Sequence, residues 1–174
     1  EKKLRGHCVP YHWEHRSDFL QVAKTANNAY ELFLPRLTEA LNGAHGQDNS
    51  VEYWRIVVGP WLYYFVGVCF DRFLSIEAAR QCPGITNTWV PFIEQQESVP
   101  TDFASFQHSL DQDNYNLLLY SKIIRFFGQI PYETKVVQDF SITPIKPNPK
   151  HTSNVSRKFF QPIYLQYLRR VAYR

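Results

Sequence analysis

The chain has 174 residues and a mass of 20.5 kDa, enough for one domain that removes roughly 70% of its unfolded surface from water. A hydrophobic share of 44% with 16% aromatics excludes the polar, aromatic-poor composition of disordered chains. Three widely spaced cysteines, Cys8, Cys69 and Cys82, exclude a disulfide framework or a CxxC metal knuckle and point to a reducing compartment.

Taken in chain order, Val9 to Arg16 contains a proline, no apolar period and many hydrogen-bonding side chains, and reads as an ordered loop. From Ser17, a plausible N-cap, apolar residues recur at Phe19, Leu20, Ala23, Ala26, Tyr30, Phe33, Leu34, Leu37 and Leu41, the period of an amphipathic helix. Pro35 is expected to kink or split this helix, and Gly43 with Gly46 to end it. Ser50 opens the next helix, Gly59-Pro60 interrupts it, and Trp61 to Ala79 is apolar nearly all round, which marks a central helix. Gly67 within it predicts the close approach of another backbone. The uncharged run Ile56 to Phe70 falls short of the about 18 to 20 residues that span a bilayer.

Ile85 to Ile93 is rich in β-branched and aromatic residues and predicts a strand at the edge of a parallel sheet. Thr101 and Asp102 cap a short helix to about Leu110, and Asp113 caps another over 114–127, closed by Gly128. Glu133 to Phe140 alternates weakly as a second strand. Three units follow: a helical and α/β portion over 1–141, a Pro-rich linker over 142–156, and a basic helix over 157–174. Seven basic and no acidic residues follow Asp139, against 12 basic and 16 acidic residues up to it. Such a tail suits a phosphate-bearing or membrane-surface partner, or is a solvated face cut off from its acidic neighbours. An acidic body argues against nucleic acid as a partner. The absence of Met, and Glu1 as the first residue, lead us to expect a piece of a longer protein.

The string Tyr53-Trp54-Arg55-Ile56-Val57-Val58-Gly59-Pro60-Trp61-Leu62, with Tyr64-Phe65 and Phe70-Asp71-Arg72 after it, resembles the signature of a family of transferases in bacterial surface-carbohydrate biosynthesis. Three further segments agree: Val9 to Trp13, Leu41 to Gly46, and Tyr115 to Ile123. The chain departs from the family pattern just after His12-Trp13 and near Leu117-Leu118. The resemblance spans roughly residues 8 to 128 and implies a two-domain, GT-B-like glycosyltransferase. The chain would be the mainly helical portion, with a few strands, of its Rossmann-like N-terminal, acceptor-side half. The nucleotide-sugar donor, a substrate rather than a cofactor, would bind mostly to the remaining half. No metal is expected, and the implied setting is the cytoplasm, peripheral at the inner face of the membrane.

Sugar transfer needs a base for the acceptor hydroxyl and cations or helix N-termini for the departing phosphate. His12, Glu14 and His15 are the candidates for the base, with Arg16 beside them as a substrate contact; the alternative is a loop pinned by these side chains. Arg55 is a candidate anion or sugar contact. Tyr53, Trp54, Trp61 and Tyr64 are candidate stacking faces, which more often are core, and Asn116 is a further substrate-binding candidate. Asp71 and Arg72, on an apolar helix, predict an internal ion pair. Asp111-Gln112-Asp113 has the outline of a metal motif, but a capping role already accounts for Asp113. A non-catalytic helical assembly module is the rival to the glycosyltransferase.

Overall fold

A computed structural model describes residues 8–9, 11–92, 100, 102–128 and 130–137. Its elements are α1 (Arg16–His45), α2 (Val51–Val57), α3 (Gly59–Gln81), β1 (Thr88–Pro91), α4 (Phe103–Leu110), α5 (Asp113–Phe127) and β2 (Tyr132–Lys135), so the described chain is mainly helical with two short strands. The expected Pro-rich linker and basic terminal helix lie outside the described residues.

The first helix buries Ala29, Tyr30, Phe33, Leu34, Leu37, Thr38 and Leu41, a stripe at three- and four-residue spacing. It begins at Arg16 with His15 at the N-cap, where no side chain caps it, so Ser17 is not the cap. Pro35 does not split it: the helix is continuous over 30 residues. Pro35 is exposed, and on that side water can take the carbonyl of Glu31 that the missing N–H leaves free. Gly46 ends the helix in the left-handed region, φ 61°, with its N–H donated to the Asn42 carbonyl.

Ser50 caps α2 by accepting a hydrogen bond from the Tyr53 N–H. At Gly59-Pro60 the axis turns by 73° between α2 and α3, and Pro60 falls in the first turn of α3, where a missing N–H costs nothing. Gly59 is the glycine that close packing demands: a Cβ there would stand 2.8 Å from the Tyr30 hydroxyl oxygen. Gly59→Ala should therefore cost about 1–3 kcal/mol in a urea melt, with much of the loss recovered in the Gly59→Ala/Tyr30→Phe double variant. Gly67 behaves differently from expectation, since nothing described beyond the adjoining backbone of its own helix lies within 4 Å of where its Cβ would be.

Two sides of α3 are covered. Leu62, Val66, Cys69, Phe70 and Phe73 join the buried residues of α1 and Trp54 of α2 in the larger core. Trp61, Phe65 and Val68 pack on Phe106, Tyr115, Leu118 and Leu119 of α4 and α5. Burial on two faces explains why α3 is apolar nearly all round; its third face carries Pro60, Tyr63 and Tyr64, which are exposed. No single helix among the described residues is long and apolar enough to cross a membrane.

The strands pair in parallel, with Thr88 opposite Tyr132 and Pro91 opposite Lys135. Parallel neighbours need a long crossover, which α4 and α5 supply within the 40 residues that separate the strands. Asp102 and Ser105 form a capping box on α4. Asp113, by contrast, is not a cap: Gln112 holds that position on α5, and Asp113 sits in the first turn, where its charge meets the positive end of the helix. Gly128, φ 62°, closes α5 as expected.

Lys122 on α5 is half-buried, and its burial holds the ammonium below the usual lysine range. The folded state then binds this proton less readily than the unfolded state does. Stability is reduced below the folded pKa and recovers as pH rises toward the ordinary lysine value. Lys122→Met is expected to raise the melting temperature at neutral pH by about 2–4 °C, equivalent to about 1 kcal/mol for a chain of this length, and to flatten the alkaline rise seen by calorimetry.

Candidate functional site

The loop before α1 is folded onto α3. His12 Nε2 stands 3.1 Å from Asp71 Oδ1, an ion-pair distance without the alignment of a hydrogen bond. The Tyr11 hydroxyl lies 3.5 Å from the same oxygen. Burial and the adjacent Asp71 carboxylate, in that order, raise the Tyr11 pKa, so the phenol stays protonated and remains a donor. On the other side Arg72 donates to Asp71 Oδ2 through Nη1, and to Asn116 Oδ1 through Nε at 3.2 Å and Nη2 at 2.9 Å. Asn116 Nδ2 in turn donates to the carbonyls of Leu110 and Gln112, which ties the start of α5 to the same network. The Asp71 side chain is 7% exposed and that of His12 12%. A charge this deep is tolerated because it is paired.

The expected Asp71–Arg72 pair is therefore present, and it has gained two partners predicted for other reasons, His12 and Asn116. With Nε2 turned to Asp71, His12 Nδ1 is the ring nitrogen that does not face the carboxylate. Glu14, His15 and Arg16 are exposed and stand outside this network. His15 instead starts α1 through its backbone carbonyl, which accepts the N–H groups of Asp18 and Phe19. Tyr11, which reaches Asp71, had no signal beyond its place in the loop. Trp13 packs its ring on His12 and Phe19, while its buried Nε1 has no hydrogen-bond partner among the described residues.

A second place collects the residues around the Gly59-Pro60 break, about 18 Å away by the 12-residue rise of α3 from Gly59 to Asp71. An open groove of about 600 Å³ is lined by Asn27, Asn28, Tyr30, Glu31, Arg55, Gly59, Pro60, Tyr63 and Tyr64. Arg55 forms a fork with Glu31, Nη1 to Oε1 at 2.7 Å and Nη2 to Oε2 at 2.8 Å, and lies over the Tyr30 ring at 5.5 Å. Its hydrogen bonds to Glu31 hold the Arg55 pKa above, and the Glu31 pKa below, their usual ranges. The pair is exposed, with side chains 42% and 58% accessible, so the groove carries a cation and a carboxylate side by side at its rim. Asn27, Asn28 and Glu31 were not among the predicted site residues, because they lie on the polar side of α1 and no spacing separates them from an ordinary solvated face.

The aromatic candidates divide. Tyr64 is half exposed at the groove, with its ring beside Tyr63 and Phe103. Tyr53 is exposed on α2 against the edge of Trp54. Trp54 itself is buried, donates Nε1 to Asn42 at 2.7 Å and stacks on His45. Trp61 lies between the two cores, stacked on Phe65 at 5.0 Å. Packing accounts for Trp54 and Trp61, and only Tyr53 and Tyr64 offer a face to a ligand. Among the described residues no group of three or more His, Cys, Asp and Glu side chains is placed to hold a metal ion.

A family model described as LIC12162 family transferase matches residues 1–173. No curated protein and no solved structure matches the chain.

Proposed function

From the premise that this chain belongs to the LIC12162 family of transferases, we propose that it is the acceptor-side part of a glycosyltransferase that moves a sugar from a nucleotide donor to a surface glycan, such as a capsule or O-antigen chain. The observation that carries the reading is the groove, in which Tyr63 and Tyr64 stand beside two asparagines and the paired Arg55–Glu31 fork. Aromatic faces suit the apolar side of a pyranose ring, and planar polar side chains suit its hydroxyl pairs.

His12 supplies the base. As the acceptor oxygen attacks the anomeric carbon of the donor, its O–H bond breaks and the proton passes to His12 Nδ1. The bond from the anomeric carbon to phosphate oxygen breaks, and its electron pair leaves with the nucleotide. Asp71 holds the ring and balances the imidazolium that forms. The nucleotide sits on the remaining half of a GT-B-like protein, which works in the cytoplasm at the inner face of the membrane, with no nucleic-acid partner and no metal.

Isothermal calorimetry of the full-length protein against CMP-, UDP- and GDP-sugars tests this reading. Heat from one nucleotide class, with transfer to a glycan acceptor in the same preparation, is the expected result. No binding to any of the three would move the chain to the rival class of helical assembly module.

A further inference from the structure

Pro60, Tyr64, Gly67 and Asp71 are spaced four, three and four apart on α3, so they fall on one face of the helix. Along it Pro60 and Tyr64 are exposed, Gly67 is half-buried, and Asp71 is covered by Tyr11 and His12. The groove occupies one end, at Pro60 and Tyr64, and His12 over Asp71 occupies the other, about 16 Å along the axis. Between them stands Gly67. A mid-helix glycine costs about 1 kcal/mol relative to alanine, and the usual compensation, a tightly packed neighbour, is present at Gly59 but absent at Gly67 among the described residues. The space above Gly67 is what its missing side chain provides.

We propose that this face is a track for the acceptor, with a neutral glycan chain lying from Tyr64 across Gly67 so that its end reaches His12. The proposal rests on the glycosyltransferase reading and adds the acceptor's class and path. A chain of several sugar rings fits the length. Neutrality suits the described side chains of this face, since Arg55 is paired with Glu31 and Arg72 with Asp71 and Asn116. Rings held at the groove contribute binding energy remote from the reacting end and fix that end at the base.

The test is calorimetry of the full-length protein with neutral oligosaccharides of glucose, galactose and N-acetylglucosamine, from disaccharides to hexasaccharides. In the wild type, affinity is expected to rise with length for one series. Gly67→Leu should remove that gain, a loss of about 10-fold or more for the hexasaccharide, while disaccharide binding in the groove stays within about 2-fold. Tyr64→Ala should weaken both. Gly67→Ala controls for folding and should melt at or above the wild-type temperature. Equal affinity for all lengths, no oligosaccharide binding at all, or a Gly67→Leu variant that keeps the length dependence would each overturn the track. Length-dependent binding without transfer from any sugar nucleotide would leave the track standing and remove the transferase reading.

Discussion

Replacing His12 by glutamine in the full-length protein is expected to lower turnover in sugar transfer by about 10²- to 10⁴-fold, the size of a lost general base. KM for both substrates should stay within about 2-fold. Glutamine keeps a polar group of similar reach beside Asp71, so the loop has little reason to detach and the melting temperature should hold. Steady-state kinetics and a thermal melt on the same sample decide the matter. A fall in melting temperature that matches the loss of rate would make His12 a strut between the loop and α3. Full activity would place the base elsewhere.

The second large effect concerns stability. Arg72→Leu removes the cation beside Asp71 and two donors to Asn116 Oδ1, and Asp71 is only 5% exposed. A buried carboxylate that loses its permanent cation costs up to about 3–5 kcal/mol, less whatever His12 and Tyr11 still supply at Oδ1, a large share of the stability of a domain this size. Urea titration should show the corresponding drop in midpoint. The Asp71→Asn/Arg72→Met double variant, which removes both charges together, should recover most of it. A loss below about 1 kcal/mol, the range of exposed pairs, would show that Arg72 is not what compensates the Asp71 charge. These variants separate the two roles of the network, because His12→Gln addresses chemistry while Arg72→Leu addresses the balance of buried charge.

Several features were legible in the sequence because each depends on residues close together in the chain. The Ser50 cap, the Asp102 cap, the Gly128 stop and the Gly59-Pro60 break all satisfy or deny backbone groups within one turn. Pro35 and Gly67 show the limit of the same approach. The helix runs through Pro35, so of the kink and the split expected there the split does not occur, and whether a glycine admits a neighbour depends on what packs there. Gly59 and Gly67 lie on one helix, yet the Tyr30 hydroxyl reaches only the first.

The candidate site was legible in part. Asp71 and Arg72 drew attention as charges on an apolar helix that need partners, His12 as a candidate base and Asn116 as a candidate substrate contact. Their convergence needed three separate segments: the loop before α1, the middle of α3 and the first turn of α5. Trp54 and Trp61 were candidates for stacking by residue type, and burial assigns them to the core.

By itself, then, the sequence determined the helices, several of their ends, the presence of two strands though not their bounds, and the residue types of the candidate site, because periodicity, capping and turn preference act over a few residues. Tertiary structure decided the rest. It gathered His12 and Asn116 around Asp71, paired Arg55 with Glu31 across 24 positions of the chain, and left Pro60 and Tyr64 exposed on α3. Those outcomes depend on which sides of α3 are buried, and only the packing of α1, α4 and α5 against it settles that.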